Sequence, residues 1–179
     1  MYPHPFVAPI ATDFAQTLVP YCEQIQIAGS LRRLCTFVKD VDIIAIPKFI
    51  DGKDDTLFGE PVKENLLDKK LFEMYLAKEI TLETNGDKIK RFNKTVQGKN
   101  IPIDIYIADL STWNTLLLIR TGSKEHNIKL AKRAQDMHMQ LKADGSGLIS
   151  PGGSLIKIKS EQEIFERLNL PFVDPEKRI

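Results

Sequence analysis

Apolar and polar positions alternate along this chain with two periods, one of two residues and one near 3.6, and the switch between them marks its elements. Over residues 24–28, Ile25 and Ile27 point one way between polar neighbours, which predicts a strand ending at Gly29-Ser30. Residues 31–35 predict a short helix, and residues 40–46 a second strand, apolar except for Asp40 and Asp42. The stretch IPIDIYIA, residues 101–108, predicts a third, with Ile101, Ile103, Ile105 and Ile107 on one face and Asp104 and Tyr106 on the other. Helical spacing relates Phe14, Leu18 and Tyr21 behind a cap at Asp13, with Pro20 disturbing the end. It also relates Leu67, Leu71, Met74 and Tyr75 over residues 65–77. Two further helices are predicted over residues 113–119, capped by Ser111, and 124–137, separated by Thr121-Gly122-Ser123.

The remaining pattern supplies turns. Ile80 and Leu82 alternate, Ile89 and Phe92 return, and Asn85-Gly86 between them predicts a two-residue type I′ turn. Residues 140–158 predict a small antiparallel hairpin with turns at Asp144-Gly145 and Pro151-Gly152-Gly153. Ser160 and Glu163 form a capping box ahead of Ile164, Phe165 and Leu168. Residues 1–12 are proline-rich and read as irregular, and residues 47–60 read as a loop carrying Asp51, Asp54 and Asp55. The fold class is therefore α/β (α+β). A mixed α/β unit with a mixed sheet spans residues 1–109, and a smaller α+β subdomain spans 110–179.

Composition narrows the setting. The chain has 179 residues, enough for one core and a small appendage. Two cysteines, Cys22 and Cys35, are too few for a disulfide scaffold and read as reduced core residues. No secretory leader is visible at the start, and no apolar run approaches the ~20 residues of a membrane span. A soluble, cytoplasmic monomer with no membrane partner is the expectation.

Candidate chemistry concentrates in the second and third strands. Residues two apart in a strand share a face, so Asp40 and Asp42 project together. Carboxylates that close raise each other's pKa unless a cation lies between them. With Asp104 added, the set offers hard oxygen ligands for Mg²⁺, with Mn²⁺ as a substitute, and such ions take carboxylate, water and substrate phosphate. Gly29-Ser30, at a strand-to-helix junction, offers backbone N–H groups and a hydroxyl to an anion, and Arg33 offers a charge for a triphosphate. Together these point to phosphoryl or nucleotidyl transfer. No His or Cys set has zinc spacing, and residues 145–154, although rich in Gly and Ser, lack the lysine and setting of a P-loop.

Gly29-Ser30, Arg33, the DVD of residues 40–42 and Asp104 resemble the signature of the polymerase β-type nucleotidyltransferase superfamily. TGSKEHN (residues 121–127) and EIFERLNLPFVDPEKR (residues 163–178) resemble, more narrowly, the C-terminal segment of family X DNA polymerases. The resemblance implies that Asp40 and Asp42 bind both metal ions and Asp104 the catalytic one. It implies that Gly29, Ser30 and Arg33 hold phosphates, that the Thr121-Gly122 backbone approaches the sugar, and that Asn127 approaches the base. The family's Tyr-Phe pair before Thr-Gly is replaced by Ile119-Arg120, and its arginine one turn beyond the asparagine by Ala131. Sugar discrimination is therefore an open property of this chain. The resemblance further implies addition of a dNTP to the 3′-OH of gapped or nicked DNA. A minimal form without the N-terminal DNA-gripping domains of the larger members is the expectation, with a partner protein supplying DNA grip.

The charges fit a nucleic-acid partner. Net charge is only +1, but Lys88, Lys90 and Arg91 cluster in the hairpin, and Arg120, Lys124, Lys129, Lys132 and Arg133 follow the third strand. Polynucleotide backbones are held largely by such cations. His126, taken by itself, reads as a surface residue, and Trp113 as packing. Two other readings share these residues: a nucleotidyltransferase acting on an RNA end, protein or small molecule, and a non-catalytic DNA-end binding module.

Overall fold

The computed structural model describes residues 1–51 and 63–178. In chain order the elements are β1 (Tyr2–Pro3), α1 (His4–Leu18), β2 (Cys22–Ile27), α2 (Gly29–Arg32), β3 (Phe37–Val38), β4 (Val41–Pro47), β5 (Phe49–Asp51) and β6 (Lys63–Asn65). There follow α3 (Leu66–Leu76), β7 (Thr81–Asn85), β8 (Ile89–Val96), β9 (Lys99–Ile107), α4 (Trp113–Thr121) and α5 (Lys124–Asp136). The chain closes with β10 (Gln140–Leu141), β11 (Leu148–Ile149), β12 (Leu155–Ile156) and α6 (Glu161–Arg167). Five strands form one mixed sheet in the order β2-β4-β9-β8-β7, with β4 and β9 parallel and the other neighbours antiparallel.

Strand alternation sorts the two faces of this sheet. Ile43, Ala45, Ile101, Ile103 and Ile105 pack with Val7, Ala11, Phe14 and Leu18 of α1 and Leu67, Leu71 and Met74 of α3. On the opposite face Ile44, Ile46, Tyr106 and Ala108 pack with Leu116 and Leu117 of α4. Helix α4 covers that face only in part, and Asp42 and Asp104 lie on the part it leaves half-buried. A separate core gathers Leu118, Leu130, Ala134, Leu141, Leu148, Ile158, Ile164, Phe165 and Leu168. Cys22 is buried in the first core, and burial pushes its thiol up to about 11, as expected of an inert core cysteine.

Several local expectations need correction. Residues 4–12 are helical, not irregular: Pro5 sits in the first turn, where no N–H is needed, and interior Pro9 forfeits one bond while Val7 and Ala11 are buried. Asn85 stays in β7 paired with Lys90, and Gly86 N–H donates to Ile89 O, so the turn falls at Asp87-Lys88. The two-residue positive-φ turn lies instead at Gln97-Gly98 (φ 51° and 73°), between β8 and β9. The N-cap of α4 is Thr112, without a side-chain cap bond, rather than Ser111, and Asp109 Oδ1 accepts from the Ser111 and Thr112 N–H groups in the turn ahead of the helix. The region after α5 is a three-stranded antiparallel sheet, β10-β11-β12. Of the loop expected over residues 47–60, Phe49–Asp51 is a strand paired with β6, and residues 52–60, with Asp54 and Asp55, lie outside the described residues.

Candidate active site

Strand pairing builds the carboxylate set. In the parallel β4/β9 ladder Asp42 stands opposite Asp104, and Asp40 precedes Asp42 by two residues, so the three converge at one end of the sheet. Burial first, and then the charges of Asp40 and Asp104, push the Asp42 carboxyl up to about 7, partly offset by the neighbouring Tyr106 hydroxyl and the Arg120 charge. Asp104 Oδ2 accepts from Arg91 Nε and from the Tyr106 hydroxyl, each at 3.3 Å.

Two loops close around this end. The chain leaves β2 at Ala28, whose N–H donates to Asp42 O at 2.8 Å, and turns through Gly29 at φ 61°. A Cβ at Gly29 would stand 1.9 Å from Asp42 Oδ2, so only glycine lets the carboxylate lie against this backbone. Helix α2 is only four residues long, so the anion-binding reading of Ser30 rests on its hydroxyl and the local N–H groups rather than on a helix dipole. From the other side come the end of α4 and the start of α5. Arg33 Nη1 donates to Thr121 O, Asn127 Nδ2 donates to Ile119 O at 2.8 Å, and the Gly122–Ser123 peptide is cis. A Cβ at Gly122 would meet Arg33 Nη1 at 3.0 Å. Asn127 Oδ1 is buried without a hydrogen-bond partner.

The open cleft between the two loops has a volume of about 590 Å³, within the range of ligand pockets. Gly29, Ser30, Arg33, Asp40, Asp42, Gly122 and Asn127 line it, which unites most of the sequence-expected site. Asp104 is not among its lining residues, although it pairs with Asp42, which is, and Thr121 is fully buried. Lys124 and Arg120, expected on a DNA surface, line the cavity instead, and the Arg120 guanidinium stacks 4.1 Å above the Tyr106 ring.

The other basic residues divide. Lys88, Arg91, Lys129 and Lys132 are exposed. Lys90 is not available to a polynucleotide: it is 3 % exposed, 2.6 Å from Asp68 in an ion contact, and donates to Asn85 Oδ1 at 2.8 Å. Arg133 is half-buried, with Nε donating to Leu168 O at 2.9 Å. His126 is buried rather than a surface residue, packed on Phe165 with ring centroids 5.7 Å apart. Burial first, then the Arg178 and Lys129 charges, push its imidazole down to about 4 against the pull of Glu161.

Sequence reading missed a buried ion cluster behind Thr121. Arg32 donates to Glu161 through Nη1 (3.0 Å) and Nη2 (2.5 Å) and to Thr121 Oγ1 at 2.7 Å. Arg178 Nη1 donates to the same Glu161 at 2.8 Å. Burial alone pushes Glu161 up, but hydrogen bonds from and charges of Arg32 and Arg178 outweigh it and hold the carboxyl below its ordinary range. Nothing in the local pattern pairs residues 129 positions apart. Lys39, beside Asp40 in the sequence, also lines the cavity and was not singled out.

Among the described residues no three His, Cys, Asp or Glu side chains are gathered closely enough to cage an ion alone. The donor set nevertheless fits Mg²⁺, which is held by one or two carboxylates and completes its shell with water and phosphate oxygens. Burial and two neighbouring carboxylates that together raise Asp42 to about 7 mark a site short of positive charge. Asp42 favours its protonated form in the folded chain, so metal-free stability is expected to fall as pH rises from about 4 to about 7. Asp42→Asn should remove that slope and melt higher than the wild type at pH 8, by up to a few kcal/mol (roughly 1.4 kcal/mol per pK unit), read by thermal melts across pH. A flat wild-type profile would contradict the burial argument.

Comparison with known proteins gives this site its setting. The family model described as DNA polymerase beta thumb matches residues 116–179. The DNA polymerase/3′-5′ exonuclease PolX of Bacillus subtilis (strain 168) is 26% identical over 179 residues, covering 99% of this chain. The chain spans only 28% of that relative's length. The ternary gap complex of Leishmania infantum polymerase beta superposes with a TM-score of 0.79 at 19% identity, covering 99% of this chain and 70% of that one. Its ternary P/T complex gives 0.75 at 20% identity, covering 99% and 76%. The fold is that of polymerase β, a mixed α+β architecture, and over residues 116–179 the chain is similar to the polymerase β thumb. Among the described residues no helix is long and apolar enough to cross a membrane.

Proposed function

We propose that the chain is a Mg²⁺-dependent nucleotidyltransferase of family X type that adds a dNTP to the 3′-OH of gapped or nicked DNA and releases pyrophosphate. The observation that carries this reading is the register pairing of Asp104 with Asp42, which lines a cavity together with Ser30, Arg33 and Gly122. Asp40, Asp42 and Asp104 would hold the metal ions, whose chemistry is to neutralise phosphate charge and acidify the attacking hydroxyl. Ser30 and Arg33 bind the β- and γ-phosphates, with Lys39 beside them. The Thr121-Gly122 backbone lies along the sugar, and the unpartnered Asn127 Oδ1 meets a donor on the base or its hydration. Asp104 Oδ1 accepts the proton of the attacking hydroxyl, because both hydrogen bonds to this side chain among the described residues fall on Oδ2.

Lys88, Arg91, Lys129 and Lys132 supply the phosphate contacts that hold DNA, without Lys90 and Arg133. The palm at residues 1–109 carries the chemistry, and residues 110–179 close on the nucleotide. The test is incorporation of labelled nucleotides onto gapped DNA, single-stranded RNA and protein or small-molecule alcohols side by side. Gapped DNA is expected to be extended by one nucleotide and the others far less. Transfer to a non-DNA acceptor at a comparable rate would move the reading to the wider superfamily, and tight DNA binding without turnover would make the chain a DNA-end binding module.

A further inference from the structure

Arg91 stands directly opposite Asp104 in the antiparallel β8/β9 ladder. Its Nε donates to Asp104 Oδ2 at 3.3 Å, on the same oxygen that the Tyr106 hydroxyl reaches. The side chain is 49 % exposed, and among the described residues its two terminal nitrogens make no hydrogen bond or ion pair. Arg91 borders a second cavity, which shares Tyr106 and Arg120 with the first and also takes in Lys88. One guanidinium is thus tied at Nε to a catalytic carboxylate and open at its other end.

We propose that Arg91 is a positioning residue that bridges Asp104 to the terminal phosphodiester of the acceptor strand. This rests on the nucleotidyltransferase reading and sharpens its acceptor. A guanidinium has five N–H donors in a planar fork that fits a phosphate with two parallel bonds. With Nε committed to Asp104, the Nη1 and Nη2 edges remain for the phosphate one linkage back from the reacting hydroxyl. Binding that phosphate holds the hydroxyl at a set distance from Asp104 Oδ1, and pinning Oδ2 keeps Oδ1 turned toward it. An acceptor with a phosphodiester beside its hydroxyl gains from both ends of the bridge. A free nucleoside or small alcohol gains from neither. Lysine keeps the charge but cannot form both ends at once.

The experiment is a two-by-two cycle on the full chain. Wild type and Arg91→Ala each extend gapped DNA whose primer-terminal linkage is either natural or a neutral methylphosphonate, with Arg91→Lys as a third protein. Arg91→Ala should lower kcat roughly 10- to 100-fold, the range of a hydrogen bond to a charged group, with the KM for nucleotide little changed. Methylphosphonate should lower the wild-type rate similarly, the two changes together should cost little more than either, and lysine should recover only part. Its melting temperature should stay near wild type, because half-exposed ion pairs contribute about 0–1 kcal/mol. Losses that multiply, or an unchanged rate in Arg91→Ala, would overturn the bridge while leaving the nucleotidyltransferase reading intact. A wild type that transfers nucleotides to no acceptor would overturn both.

Discussion

Replacing Asp104 by asparagine is expected to lower nucleotide incorporation by roughly 10³-fold or more, as removal of a group central to the chemical step does in other enzymes. Asparagine keeps the size of the side chain and can still accept from Arg91 and the Tyr106 hydroxyl, which now meet Oδ2 at 3.3 Å each. What it loses is the negative charge and the ability to take a proton. The fold should survive, because the Arg91–Asp104 pair is partly exposed and Asp104 also repels half-buried Asp42. Melting within about 3 °C of wild type, or above it, is therefore expected beside the lost activity, within the ~2–4 °C that 1 kcal/mol moves a chain of this size. Retained turnover would remove Asp104 from the mechanism, and a collapsed fold would make it structural.

The second large effect concerns stability and lies away from the carboxylates. Glu161→Ala is expected to destabilise the chain by about 3–5 kcal/mol, the cost of leaving buried charges without their partner. Arg178 is fully buried and Arg32 only 17 % exposed, so neither guanidinium can turn to water in place. The melting temperature should fall on the order of 10 °C. Because Arg32 also donates to Thr121 Oγ1, the backbone beside Gly122 should loosen and the KM for nucleotide should rise. Glu161→Gln, which keeps the acceptor without the charge, should fall between. Since Glu161 is held below its usual carboxylate range, its share of the stability is present above the unfolded pKa and is lost as pH falls through the folded one. An alanine variant as stable as wild type would mean that the cluster only breaks even against its desolvation.

The strands that carry the site were legible because each carboxylate interrupts an apolar alternation. Asp104 among the isoleucines of β9 could face only away from them, and Asp42 in β4 likewise. What the pattern does not contain is pairing at a distance. Lys90 looks like a member of a basic run, yet the face it takes in β8 points it into the protein, where Asp68 and Asn85 neutralise it. Asn85-Gly86 has the composition of a type I′ turn, but the hydrogen bond from Lys90 to Asn85 keeps that residue in the strand, and the turn moves two positions on. Helix α1 runs through Pro9 because the burial of Val7, Ala11 and Phe14 outweighs one missing hydrogen bond. Tyr106 and Arg120 were both visible as residues, but their stacking beside Asp42 requires α4 to lie across the sheet, which no local period encodes.

One measurement bears most directly on the account as a whole. Purified wild-type chain is mixed with a one-nucleotide gapped duplex, the complementary dNTP and Mg²⁺, and primer extension and pyrophosphate are followed together. Addition of one nucleotide per gap with one equivalent of pyrophosphate, abolished by chelator and restored by Mg²⁺ or Mn²⁺, is the predicted result. Firm binding of the duplex and the nucleotide with no metal-dependent release of pyrophosphate would contradict it.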